Sequence, residues 1–166
     1  MTGMTEPTVV ERAAQPYLSI VNHVPMTAIN EAADRTREVF AFLDARGIGW
    51  VAPPFFKYNV IDMAGELEIE VGVPIAAPAE GEGDVVAGTL PAGRYATVTH
   101  VGHPKELYHV TADLLAWAER EGLRFAKEDT PAGEVWESRL EVYSTDPAVE
   151  PDMNKWETTL LFKLAD

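Results

Sequence analysis

The order of strand, helix and turn signals is used twice along this chain of 166 residues. Ser19-Ile20-Val21-Asn22-His23-Val24 runs into Pro25, and Thr97-Val98-Thr99-His100-Val101 runs through Gly102 and His103 into Pro104. Proline suits the first turn of a helix, where its missing N–H would find no partner anyway. Each proline opens an apolar stripe on a 3.6-residue period: Ile29, Ala33, Thr36, Phe40 and Leu43, then Leu107, Val110, Leu114 and Trp117. Gly47 and Gly122 close the two helices. Two extended segments follow each helix. In the first half these are Phe55 to Ile61 and Leu67 to Ile75, joined by a turn at Asp62-Met63-Ala64-Gly65. Leu67, Ile69, Val71 and Val73 alternate with Glu68, Glu70 and Gly72, the pattern of a strand with one face in water. In the second half they are Val135 to Ser144 and Trp156 to Leu164, with a loop around Asp129 to Gly133 ahead of them. Thr8 to His23 reads as a long strand bent near Pro16. Val85 to Leu90 and Tyr95 to Val101 read as a hairpin about Pro91-Ala92-Gly93.

A single strand-helix-strand-strand unit cannot cover its own sheet face. Two such units set back to back about a pseudo-twofold axis can, with both helices on one joined antiparallel sheet. The expected fold is therefore α+β: duplicated βαββ units forming an antiparallel sheet with two long helices and a central groove. The chain is expected to be one domain over residues 1–166, with pseudo-repeats at about 8–83 and 84–164. A groove at such a seam is where small ligands are usually held.

Charge repeats with the pattern. Splitting at Gly83 leaves each half seven negative charges in excess, and the whole chain at −14. A chain this acidic, with no basic cluster, is repelled by phosphate backbones, so direct nucleic-acid binding is not expected. Cysteine is absent, which excludes disulfides, thiolate nucleophiles, zinc ribbons and iron–sulfur clusters. No apolar run approaches a membrane span, and the first residues lack a basic region followed by an apolar one. A cytoplasmic location without membrane contact is the expectation. There is no P-loop, no G-x-S-x-G elbow and no G-x-G-x-x-G run, and no cofactor is expected.

Glu141 is the residue with most chemical interest. In Leu140-Glu141-Val142-Tyr143, alternation puts Glu141 and Tyr143 on one strand face and Leu140 and Val142 on the other. Partly buried beside an aromatic, such a carboxylate can bind a cation or work in acid–base catalysis. On a solvated face, or paired with Arg139, it would do neither. The aromatics Phe55, Phe56, Tyr58, Tyr95, Tyr108, Trp136 and Tyr143 read first as core, and a wall of them near a carboxylate would suit a flat or cationic ligand. His100-x-x-His103 has a spacing that a metal could use, but no third ligand stands in relation to it. Structural or capping roles are expected for His23, His100, His103 and His109, and no metal.

These features together resemble the GyrI-like small-molecule-binding domain, which is also the effector-binding domain of AraC- and MerR-type regulators and shares the SOUL fold. Leu140 to Pro147 is similar to the family's Glu-x-Tyr-x-x-Asp-Pro segment. Trp156-Glu157-Thr158 resembles the start of its closing strand, and Leu90-Pro91-Ala92-Gly93-Arg94-Tyr95-Ala96 its Pro-x-Gly-x-Tyr turn. The resemblance implies a pocket glutamate at Glu141, walled by aromatics, that receives hydrophobic, aromatic or cationic compounds. Trp136, Tyr58, Phe56, Tyr108 and Tyr95 are the ligand-binding residues expected beside it. Many members carry a second acid after the threonine of the last strand, and here Thr159 follows Thr158, which argues against a strongly dication-binding site. The length leaves no room for a helix-turn-helix domain, so a stand-alone member is expected. Stand-alone members include hydrolases of cyclopropane-type electrophilic genotoxins. That alternative would make Glu141 and Tyr143 catalytic, Glu141 activating water while Tyr143 or Trp136 holds the flat ligand. A third implication is a gyrase-interacting inhibitor. The chain could be a monomer or a homodimer.

Overall fold

The protein is described here from a computed structural model, which covers residues 3–166. Two long extended segments organise it. The first holds β1 (Gly3–Met4), β2 (Thr8–Arg12) and β3 (Gln15–Val24). A 3₁₀ turn then leads to α1 (Ile29–Asp34), α2 (Thr36–Arg46), β4 (Phe55–Ile61) and β5 (Leu67–Pro74). The second holds β6 (Val85–Leu90) and β7 (Gly93–Val101), followed by α3 (Leu107–Arg120). The chain ends in β8 (Lys127–Thr130), β9 (Gly133–Trp136), β10 (Arg139–Tyr143) and β11 (Glu157–Lys163).

The sheet is antiparallel throughout, and its central order is β7-β11-β10-β4-β5-β3. Each half supplies three consecutive strands, and the halves meet where β10 pairs with β4. The expected hairpin of β6 with β7 does not form. The chain bends at Pro91 to Gly93 and continues, with Gly93 at a φ of 145° that most side chains avoid. β6 pairs with β3 and β7 with β2, so the two long segments run against each other in one register from Thr8↔Thr97 to Ile20↔Val85. That cross-pairing curls the sheet into a half-barrel. The region around Asp129 to Gly133, expected as a loop, is the β8–β9 hairpin. β9 and β10 follow one another along β4, interrupted by a bulge at Glu137 and Ser138.

The helices cover one face of the curl. α1 and α2 pack on Leu18, Ile20, Ile69, Val71 and Val73, while α3 packs on Ala96, Val98, Leu160 and Phe162. Each buried aliphatic side chain of this size stabilises the fold by about 1.5–3 kcal/mol relative to exposure. The first helix is broken at Arg35, which bonds Glu38 and Asp84. The break resets its phase, so Ala32, Val39 and Leu43 are buried and Ala33 is exposed. In α3 the buried row is Leu107, Val110, Leu114 and Ala118, with Trp117 only half-buried.

The other face is not in water. The curl folds it over a second core of Tyr17, Phe55, Leu90, Tyr95, Leu140 and Leu161. Two aromatic rings lie flat on glycines of neighbouring strands: a Cβ on Gly72 would stand 2.5 Å from the Phe55 ring, and one on Gly88 equally close to Tyr17. Glu70, expected on a wet face, is 8% exposed. Tyr17 and Ser19 donate to its Oε1 at 2.8 and 2.7 Å, Asn59 to its Oε2 at 2.8 Å, and the Lys57 ammonium lies 3.4 Å from Oε2. Burial pushes the Glu70 carboxyl up, but Asn59, Lys57, Ser19 and Tyr17 outweigh it and hold the group below the ordinary carboxylate value. Among the described residues no helix is long and apolar enough to cross a membrane.

Candidate functional site

The seam between the halves brings four of the expected residues together. Glu141 lies opposite Phe56 in the β10–β4 ladder and opposite Leu160 in the β10–β11 ladder. The period-2 pleat puts Tyr143 beside it on β10 and Tyr58 beside Phe56 on β4, all on the face that carries the helices. Tyr143 donates its hydroxyl to Glu141 Oε1 at 2.6 Å, and Tyr58 donates to the same oxygen at 3.1 Å. The Phe56 ring meets Tyr143 edge to face at 5.0 Å between centroids and Tyr58 at 6.2 Å. Edge-to-face packing of this kind fixes ring orientation as well as burying area.

This is a carboxylate in an apolar setting with few partners. Burial pushes the Glu141 carboxyl above its ordinary value; the Tyr143 and Tyr58 hydroxyls and the charge on Arg139 pull the other way without cancelling it. Burial, reinforced by the charge on Glu141, holds both phenols well above the usual tyrosine value, so they stay protonated and act as donors. The Glu141 and Glu70 environments are thus opposite: four partners outweigh burial and lower one group, whereas burial outweighs two phenols and Arg139 and raises the other.

The sequence suggests Arg139 as an ion-pair partner for Glu141, and among the described residues no such pair forms within 4 Å. The guanidinium instead lies over the rings of Phe162 at 4.5 Å, Trp136 at 4.8 Å and Tyr58 at 5.8 Å. Its Nε is buried and has no acceptor. Arg-x-Glu-x-Tyr on one strand places Arg139, Glu141 and Tyr143 on one face, so strand alternation already signals Arg139 as a neighbour of the site.

The remaining expected residues fall elsewhere. Trp136 is buried on the same face, packed at 5.5 Å on Phe162 and 5.3 Å on Phe125, and its Nε1 donates to Glu134. It reaches the seam only through Arg139. Tyr95 is 2% exposed on the opposite face; its hydroxyl donates to Pro91 O and accepts from Ser138 Oγ. Tyr108 is 78% exposed on the outer side of α3. Neither touches Glu141: Tyr95 belongs to the second core, and Tyr108 lies off the buried row of its helix. His23 is exposed and bonds Glu68 at 3.1 Å, whereas His100 is buried. His103 accepts the Lys105 backbone N–H at Nδ1, a capping role. Among the described residues no group of three side chains has metal-site geometry.

Solved structures share this architecture at low identity. The EcmrR C-terminal domain aligns with a TM-score of 0.76 at 18% identity over 97% of this chain and 98% of that one. In the EcmrR–DNA complex the TM-score is 0.75 at 20% identity over 97% of this chain, and the match spans 57% of the length of that protein. SAV2435 bound to tetraphenylphosphonium gives 0.63 at 12% identity over 97% of this chain and 94% of that one. A hydrolase from Listeria innocua gives 0.66 at 17% identity over 96% and 92%. At such identities the likeness carries the fold alone. Comparison with curated protein sequences finds no match. The family model of the GyrI-like small molecule binding domain matches residues 5–163, and the chain belongs to that family.

Proposed function

We propose that the chain binds a hydrophobic, aromatic small molecule at the β4–β10 seam, with Glu141 as the polar anchor and Phe56, Tyr58 and Tyr143 as the apolar wall. The observation that carries this reading is the contrast between two strand glutamates. A carboxylate kept for structure is surrounded by donors, as Glu70 is. Glu141 has two phenols on one oxygen and no cation within ion-pair distance, a state that costs free energy until a ligand supplies a positive or donating group. A cationic aromatic ligand would gain stacking and cation–π attraction from the same wall. SAV2435, of the same fold, is held with a lipophilic cation, which supports this ligand class. The acidity of the chain argues against a phosphate backbone as partner.

Glu141→Gln keeps shape and removes charge. It is expected to weaken a cationic aromatic dye about tenfold or more while leaving a neutral isostere nearly unchanged, read by tryptophan fluorescence titration. An equal effect on both ligands removes the carboxylate–cation contact from the proposal.

The raised carboxyl with a hydroxyl 2.6 Å away also favours a second reading, a hydrolase of strained-ring electrophiles. Water would add across one ring C–C bond: its oxygen bonds to the electrophilic carbon, Glu141 takes its proton, and Glu141 returns that proton to the other carbon as the bond breaks, so OH and H end on the two carbons. Incubation with a cyclopropane-bearing electrophile tests this; turnover that survives Glu141→Ala removes Glu141 from the reaction.

A further inference from the structure

Arg139 is a half-buried cation with no carboxylate within 4 Å among the described residues. Its guanidinium carbon lies 4.5, 4.8 and 5.8 Å from the ring centroids of Phe162, Trp136 and Tyr58, and its buried Nε–H has no acceptor. The carboxylates that face it are engaged elsewhere. Glu141 Oε1 takes the two tyrosine hydroxyls. Glu134 takes the Trp136 indole N–H on Oε1 and lies 3.6 Å from the Lys127 ammonium on Oε2. A buried N–H left unpaired is a costly state, more so on a charged group. Glu141 is half-buried, and no described side chain donates to its Oε2. Arg139 and Glu141 stand two residues apart on one face of β10, a step of about 7 Å. One face of β10 therefore carries a donor without an acceptor and a carboxylate oxygen without a side-chain donor, opposite in charge.

From this we infer that the ligand carries a carbonyl-type oxygen for Arg139 as well as a positive or donating group for Glu141, on an aromatic frame that spans both. This rests on the reading of Glu141 as the anchor and adds a second, opposite anchor to it. The selected class is an aromatic carbonyl compound with a cationic or N–H group roughly 7 Å away, and a dication lacking the oxygen meets the guanidinium as a repulsion.

Two matched probes separate the anchors: (4-benzoylbenzyl)trimethylammonium, which has the ketone, and (4-benzylbenzyl)trimethylammonium, which has a methylene in its place. Calorimetric titration of the full chain should give about tenfold to hundredfold tighter binding of the ketone, the range for a hydrogen bond to a charged group. Arg139→Met, which keeps the packing on Phe162 and Trp136, should erase that difference and leave the methylene probe bound as well or better. Arg139→Lys, which keeps the charge, should restore part of it, and unchanged near-ultraviolet circular dichroism certifies the fold of both. Equal binding of the two probes by the wild type, or a ketone preference that survives Arg139→Met, overturns the role of Arg139. If Glu141→Gln leaves both probes unaffected while the ketone preference persists, the Glu141 anchor fails and the Arg139 site stands. If neither probe binds the wild type, both are overturned.

Discussion

Replacing Glu70 by alanine should cost more stability than any other single change on the sheet face away from the helices. The carboxylate lies in the interior of the curl and is the common acceptor of Tyr17, Ser19 and Asn59, with Lys57 3.4 Å from it. Removing one member of a buried ion pair strands the other, which costs about 3–5 kcal/mol. Three further donors lose their acceptor at about 1–3 kcal/mol each, but they share one site, so these costs do not add. A working figure of about 4 kcal/mol is a large part of the roughly 5–15 kcal/mol that holds a domain together. For a chain of this length it lowers Tm by roughly 8–16 °C. Urea unfolding at pH 7, followed by far-ultraviolet circular dichroism, measures it. Glu70→Leu combined with Lys57→Met removes both charges and should recover most of the loss. Acid adds a second readout. The folded Glu70 carboxyl lies below its unfolded value of about 4.3, so its stabilisation is complete above that pH and is lost as pH falls through the folded value. Glu70→Gln should lack that acid-labile component. A cost under about 1 kcal/mol for the alanine variant, with the wild-type acid profile unchanged, would mean that the carboxylate is solvated and the reasoning wrong.

Glu141 has the opposite sign. Its folded carboxyl lies above its unfolded value, so the ionised group costs stability at high pH, and that cost is relieved as pH falls through the folded value. Glu141→Gln should then match or exceed the wild type in Tm at pH 8 and lose that advantage in acid, and cation affinity of the wild type should fall with a midpoint above the ordinary carboxylate range; a midpoint at or below it contradicts the burial argument. Tyr143→Phe removes the 2.6 Å hydroxyl donor, so the same affinity profile should shift to still higher pH, and an unmoved midpoint would separate that hydroxyl from the titration. Tyr108→Ala, on the exposed side of α3, should change stability by no more than about 0.5 kcal/mol and leave dye binding alone, and a loss of binding would return Tyr108 to the site.

These contrasts also mark where sequence reasoning carries and where it stops. The phase of α3, the glycine stops and the shared face of Glu141 and Tyr143 follow from local periodicity, because each depends on neighbours three or four residues away or on the alternation of one strand; the phase of the first helix does not, because the break at Arg35 resets it. Alternation places a side chain on a face but does not say what covers that face. Glu70 and Glu141 look alike in sequence, each a glutamate between aliphatic residues. They differ because the two long bent strands pair with one another, Thr8↔Thr97 through Ile20↔Val85, and close the sheet over Tyr17, Phe55 and Glu70. The hairpin expected at Pro91 would have left that face open to water and Glu70 solvated. One long-range pairing therefore decides which glutamate needs partners built around it. Once both faces are covered, every buried carboxylate must be paired or raised, and the group left raised is the one proposed to meet a ligand. On that argument the proposed polar anchor is chosen by what it lacks, and Arg139, whose Nε also lacks a partner, is proposed beside Glu141 on the same count.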